Sequence, residues 1–456
     1  MGNLPRLEVG SKGRALLARL VFALLAAAWL AAPAPAADLR VVLEAEGGVR
    51  SDGNYAQIEQ DPELEGEDEE NLARAGFNLR LSYELPRLTL ALGYFPSYEW
   101  ILDNADVNGT THRLDLGLTA NLTRRLELRV RERLLSSPNI DLYSPFLATE
   151  PLAVPQRGDQ LTHSLDVALD QDLTRRVVLL LGAAHTLRTF ESEDLSDTET
   201  LSARIGAAFQ PMEDRRFEVF ATAGNYDFGS RSRPVGEETE READVRTLNL
   251  AWHQPFFRDG RFRVEGGMFA VDSTRTLLVP APDDGPPTEV TEDFEQTGWR
   301  GGLELSRQLE LLGWNVGVRH DVSAGVGLGR ATEVDSAFAG ISTNIGRRLV
   351  LGLDGNFSRH QDLEDEDPVV ILDRPGDRAI ETAAGTARVS WSFSTIARLT
   401  GGYSRVWQES QVAPFEDLSY SRYFLGLALQ LYRSGEEPED PARQGETEDD
   451  DEPDAQ

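Results

Sequence analysis

Six histidines are the most versatile acid–base groups in this chain, and their spacing gives them no common task. His112, His163, His185, His253, His320 and His360 form no H-x-x-x-H or H-E-x-x-H pair of the kind that sets two imidazoles around a zinc ion. The chain has no cysteine, which excludes disulfides, thiolate zinc sites, iron–sulfur clusters and a cysteine nucleophile. A serine triad is defined by geometry rather than spacing, and no nucleophile motif marks one. No catalytic residue, cofactor or metal site is therefore assigned, and an enzyme is the least favoured function class.

Acidic side chains are abundant, and the formal net charge is −32. Three runs stand out ahead of the carboxy terminus: Glu59 to Glu70, Glu237 to Glu242 and Asp362 to Asp367. Such runs bind Ca²⁺, bridge lipopolysaccharide through divalent ions, or repel anions at a pore mouth. None has the ordered ligand spacing of an EF-hand loop, and a solvated charged loop accounts for each. The glycine pairs Gly47-Gly48, Gly266-Gly267, Gly301-Gly302 and Gly401-Gly402 lack the strand–loop–helix setting of a phosphate cradle. Within strands they mark bends, or places where neighbouring side chains need room. No nucleic-acid partner is expected.

The remaining charge chemistry lies in rows with a period of two. Arg74, Arg80, Asp115, Glu127, Arg129, Arg131, Asp166, Asp170, Arg204, Arg261, Arg263 and Asp354, with Glu218, fall between apolar neighbours along short stretches. Facing strands carrying these residues would set arginines opposite carboxylates, as in the constriction of a diffusion pore. The same rows also serve as salt-bridged filling that braces a closed interior.

The elements that hold these rows are β-strands. In Leu72 to Leu85, residues Ala73, Ala75, Phe77, Leu79, Leu81, Tyr83 and Leu85 share one face. Arg74, Asn78, Arg80, Ser82 and Glu84 share the other, which a helix would scatter around its circumference. The alternation recurs around Leu116, Val167, Ile205, Leu351 and Leu427. These stretches run to about 9–14 residues, long enough to cross a bilayer at a tilt.

Connections alternate between short and long. Eight short links lie at 85–87, 123–125, 174–176, 213–215, 258–260, 308–312, 346–348 and 394–395. Nine long ones cover 51–70, 102–110, 136–160, 190–198, 228–241, 274–292, 327–332, 360–379 and 409–418. This predicts an all-β, antiparallel, up-and-down transmembrane barrel of about 18 strands (16–18), with short periplasmic turns and long external loops. A β-chain can span lipid only when closed, because every backbone group must be paired internally. Glu132 points toward lipid, near an interface, and the Gly-rich stretch from Trp299 to Val326 leaves register open. Tyr83, Tyr94, Tyr98, Trp100, Tyr226, Trp252, Trp391, Tyr403, Trp407, Tyr420, Tyr423 and Tyr432 sit near strand ends, as interfacial aromatic girdles do. Loop 136–160, with four prolines, is long enough to fold inward and constrict or plug the lumen.

Three segments complete the organisation. Residues 1–36 read as a signal peptide: basic Arg6, Lys12, Arg14 and Arg19, the apolar run Leu20 to Ala32, then Ala34-Pro35-Ala36 as the cleavage site. Residues 37–433 form the barrel, and 434–456 form a disordered acidic tail with too little apolar surface to fold.

The final strand, Tyr420-Ser421-Arg422-Tyr423-Phe424-Leu425-Gly426-Leu427-Ala428-Leu429-Gln430-Leu431-Tyr432, resembles the closing strand of bacterial outer-membrane barrels, which assembly machinery recognises. It departs from that pattern in being followed by the acidic tail. The turn units Leu122 to Leu128, Leu173 to Leu179 and Ile345 to Leu351 repeat a Thr/Gly-Arg-Arg step. They resemble porin-type outer-membrane β-barrel proteins associated with exopolysaccharide or protein-sorting loci. The resemblance implies residence in the outer membrane, among lipid and lipopolysaccharide, and a hydrophilic solute or polysaccharide as cargo. It leaves two functions open: a pore or export channel, or a structural barrel with a plugged lumen and acidic surface loops.

Overall fold

The computed structural model describes residues 38–53, 69–101, 108–141, 155–190, 197–212, 214–229, 238–257, 259–279, 288–325, 330–363, 379–410 and 418–433. The expected signal peptide, the acidic tail and residues 59–68 and 364–367 of two acidic runs lie outside these.

Eighteen strands form one sheet. They are β1 (Asp38–Gly53), β2 (Glu69–Leu85), β3 (Leu88–Ile101), β4 (Gly109–Thr123), β5 (Leu126–Asp141) and β6 (Pro155–Asp172). Next come β7 (Val177–Phe190), β8 (Thr198–Met212), β9 (Arg215–Phe228), β10 (Glu238–Phe256), β11 (Gly260–Val279) and β12 (Thr288–Gln308). The last are β13 (Leu312–Gly325), β14 (Arg330–Ile345), β15 (Leu349–Asp362), β16 (Ala379–Ser392), β17 (Ala397–Ser410) and β18 (Leu418–Arg433). Each pairs antiparallel with its sequence neighbours, and β1 pairs with both β2 and β18, so the sheet closes without an end strand. The count resolves the expected 16–18 at the upper value.

Directly opposed residues share a face, so one assignment propagates around the ring. Starting from Glu46 opposite Gly76, inward positions pass through Asp115, Arg131, Asp166, Arg204, Glu265, Arg319, Asp354 and Arg388, and return consistently to β1. The opposite face carries the apolar side chains, and it is the exposed one: Leu201 and Ile205 on β8 stand 59% and 58% exposed. That inverts the arrangement of a water-soluble protein. A closed wall with an apolar exterior is at home only in lipid, and the protein is a transmembrane barrel of the outer-membrane type.

Several strands run further than their alternation did. Glu238 to Glu242 lie in β10 rather than in a loop, and β11 and β12 extend into the stretch 274–292. Beyond the apolar band no lipid selects an apolar face, so the sequence pattern fades while the hydrogen-bonded ladder continues. The same holds for β5 and β6, which absorb both ends of the expected loop 136–160. Tyr226 belongs to the inward face and packs on a buried apolar cluster instead of joining a girdle.

The wall departs from a simple cylinder at β12 and β13. β11 and β12 share twenty residue pairs, and β13 and β14 share fourteen. Between β12 and β13 only eight pairs form, ending at Gly301 opposite His320. Beyond that row, Val322 and Ala331 keep the outward parity of their strands, yet they pack with inward Phe228, Val245, Phe269 and Val271 of β9–β11. An outward face meets an inward face only if the β13–β14 tip lies inside the neighbouring wall. In the half away from the short turns the barrel therefore overlaps itself like a scroll.

Candidate functional site on the inner wall

The polar half of each alternating strand faces the interior, and the tight turns fix the order in which those faces meet. Register places Arg74, Arg80, Asp115, Glu127, Arg129, Arg131, Asp166, Asp170, Arg204, Arg261, Arg263 and Asp354 all on the inward parity. The ring spreads them over three groups instead of gathering them at one ring.

On β4–β6, Asp115 accepts hydrogen bonds from Arg113 at 2.6 Å and Arg133 at 3.0 Å. Arg129 pairs with Glu127 at 3.3 Å and with Asp170. Arg131 projects between these pairs, opposite Gly117 on one side and Asp166 on the other. Among the described residues neither Arg131 nor Asp166 makes an ion pair, and both are exposed to the interior.

On β8–β13 cations outnumber carboxylates. Glu218 gathers Arg216 at 2.7 Å, Arg204 at 3.3 Å and His253 at 3.9 Å. Arg204 also lies over the Phe220 ring, 3.7 Å from its centroid. Glu265 holds Arg263 at 2.7 Å and Arg319 at 3.9 Å. A cavity of about 620 Å³ opens at the short-turn end, lined by His253, Arg261, Arg263, Glu304, Ser306 and neighbours. Arg261 is exposed there and makes no ion pair among the described residues.

The third group balances carboxylates and arginines. Glu46 accepts from Arg74 at 3.4 Å and Asn78 at 3.1 Å, and Arg80 approaches Glu44 at 3.8 Å. Across the seam, Asp354 and Arg388 stand 3.8 Å apart. Such half-exposed pairs contribute at most about 1 kcal/mol each, so their value is in setting the field of the wall rather than in stability. Arg113, Arg133, Arg319 and Glu265 were not singled out from sequence. For Arg113, Arg133 and Glu265 the usable signal was spacing, since each lies two residues from a recognised inward charge; Arg319 has no such neighbour.

The inner wall is not polar throughout. Val178, Leu180 and Ala208 form a buried apolar patch on β7 and β8, and the cluster under the β13–β14 tip forms another. Close approaches are made possible by glycine. A Cβ at Gly298 would meet the Phe269 ring at 2.4 Å, and one at Gly402 would meet the Phe424 ring at 2.4 Å.

On the outward face a polar chain runs across β5 to β8. His163 Nε2 donates to Glu132 Oε1 at 3.0 Å, the His163 and His185 rings lie 5.9 Å apart, and His185 Nε2 donates to Glu199 at 2.9 Å. Glu132 is six residues above Leu126, roughly 15 Å up a wall whose apolar band is about 25 Å tall. It lies deeper than the interfacial position expected for it. Its own neighbours cover it, leaving 9% exposed, and His163 retains 8%.

No family model matches the chain, and no curated protein matches its sequence. Among solved structures it is similar to Pseudomonas aeruginosa OccK2 (OpdF) in complex with glucuronate, with 11% identity and a TM-score of 0.43 over 87% of this chain and 99% of that one. P. aeruginosa OpdK with vanillate gives 10% identity and a TM-score of 0.42 over 86% and 99%. The ferric-catecholate import receptor Fiu of E. coli K12, in its closed form, gives 6% identity and a TM-score of 0.44 over 85% and 81%.

Proposed function

We propose that the protein passes hydrophilic solutes across the outer membrane through the interior of its barrel. The observation that carries this reading is the inner wall, where Arg131 and Arg261 present guanidinium groups that make no ion pair among the described residues. Barrels of 16–18 strands are wide enough for an aqueous lumen. A guanidinium offers a planar, bidentate fit to carboxylate and phosphate groups, so solutes bearing them gain most from this wall. The narrower expectation of an exopolysaccharide as cargo rests on the resemblance of the turn units alone. Lipopolysaccharide fits the outward polar row above the apolar band, including Arg246, Asp272 and Arg405, and assembly machinery fits the alternating closing strand β18.

A structural barrel with a filled lumen is the second reading, favoured by the inward-packed β13–β14 tip. Planar-bilayer recording separates the two. The pore reading expects discrete conductance steps, and expects Arg131→Glu with Arg261→Glu to move the reversal potential in a salt gradient toward cation preference. A barrel that remains silent under every applied condition, while still shifting on heating in gels, would leave only the structural reading.

A further inference from the structure

The overlap at β12 and β13 is held together in an unusual way. Where the ladder ends, both faces are clasped. Outside, the Trp299 and His320 rings stack at 4.1 Å, and His320 Nδ1 donates to Asp335 at 2.7 Å. Inside, Arg300 donates to Asp321 at 2.6 Å. Beyond the clasp, no backbone hydrogen bonds join the described parts of the two strands. Closure there depends on Val322 and Ala331, with Leu363 just past the end of β15 beside them, packed into a seat made by Phe228, Ala243, Val245, Phe269 and Val271. The Phe269 ring reaches its place across Gly298 of β12. Lifting the tip away from β12 would break side-chain contacts but no β12–β13 ladder.

Two other occupants of this seam fit less well. A foreign strand adding to the upper edge of β12 would meet Glu292, Asp293 and Glu295, and charged edges of this kind oppose strand addition. A purely hydrophilic solute would gain nothing from an apolar seat. A molecule combining an aliphatic or aromatic part with a carboxylate matches both features. Its apolar part suits the seat, and Arg319, held only loosely at 3.9 Å from Glu265, lies on the same inner wall one row from the clasp.

We propose that the β13–β14 tip is a ligand-displaced seal: an amphipathic carboxylate occupies the seat of Phe228, Val245, Phe269 and Val271, expels Val322 and Ala331, and opens the external half of the lumen. This rests on the pore reading, and the experiment keeps the two apart. Conductance of the reconstituted full chain is recorded with octanoate and, separately, with acetate, for the wild type and for Val322→Asp. Octanoate should raise wild-type conductance several-fold over acetate. Val322→Asp, whose charge is rejected by the seat, should conduct at the raised level in acetate and gain nothing from octanoate.

Equal wild-type conductance in octanoate and acetate overturns the seal and leaves the pore reading standing. An equal octanoate response in Val322→Asp also overturns it, since the effect then lies in the bilayer. Silence of both proteins in both salts removes the pore and the seal together. Heat-modifiable mobility of Val322→Asp on gels checks that the variant has formed its barrel.

Discussion

Single side chains divide here into those that meet water inside the wall and those that must survive against lipid. Glu132 is the severe case, because a carboxylate in the apolar band is stabilised only through its partner. Replacing His163 with Leu leaves that carboxylate without its hydrogen bond among Leu116, Leu134 and Leu165. We expect a loss of about 2–4 kcal/mol in chemical unfolding from lipid vesicles. Adding Glu132→Leu should restore stability to within about 1 kcal/mol, because two apolar side chains then face lipid with nothing left unsatisfied. A single variant as stable as the wild type would contradict the depth assigned to Glu132. On the inner face the alternation made the charged rows legible, since each inward charge sits between apolar neighbours. Which carboxylate neutralises which arginine was not legible. That depends on register between strands that can be far apart in sequence, as Arg129 and Asp170 are.

At the scale of strands, β12 combines a well-paired lower half with an upper half paired on one side only. Amide exchange in detergent should therefore be faster on average for residues 288–300 than for 301–308, whose amides are flanked by β11 and β13. Uniform protection along β12 would mean that its upper edge is covered. Gly298→Val tests the packing at the same place. Its side chain would collide with the Phe269 ring, and overpacking of this kind costs about 1–3 kcal/mol in unfolding experiments. Sequence marked this stretch only as Gly-rich with an open register. The reason is physical: an overlap of sheet on sheet needs glycines for close approach and small apolar residues for contact, and neither has a period of two. Residues 136–141 and 155–160 of the expected inward loop belong to β5 and β6, and 142–154 lie outside the described residues.

The whole molecule is a closed ring, and closure makes its stability collective. Unheated protein should run faster in detergent gels than boiled protein, since the barrel persists until its ladders separate together. Removing residues 434–456 should leave that shift and the conductance unchanged, because the ring already closes through β1 and β18 without them. Loss of the shift on truncation would assign the tail a part in assembly. The net charge of −32 belongs to the chain, while the inner wall carries local groups of either sign, so total charge is a poor guide to what the lumen attracts.

The amino-acid sequence alone determined the fold class, the orientation of the wall and, nearly, the number of strands. Lipid imposes a strict rule on every second residue, and the short Arg-rich turns punctuate that rule at regular intervals. Tertiary structure alone decided how the ring is sealed. A ladder that stops at Gly301 and His320, a tip tucked inside its neighbours and a seat of inward rings arise from contacts between β9–β11 and β13–β14. Those strands are close only because the sheet curls back on itself, and no local pattern in the chain records that curvature.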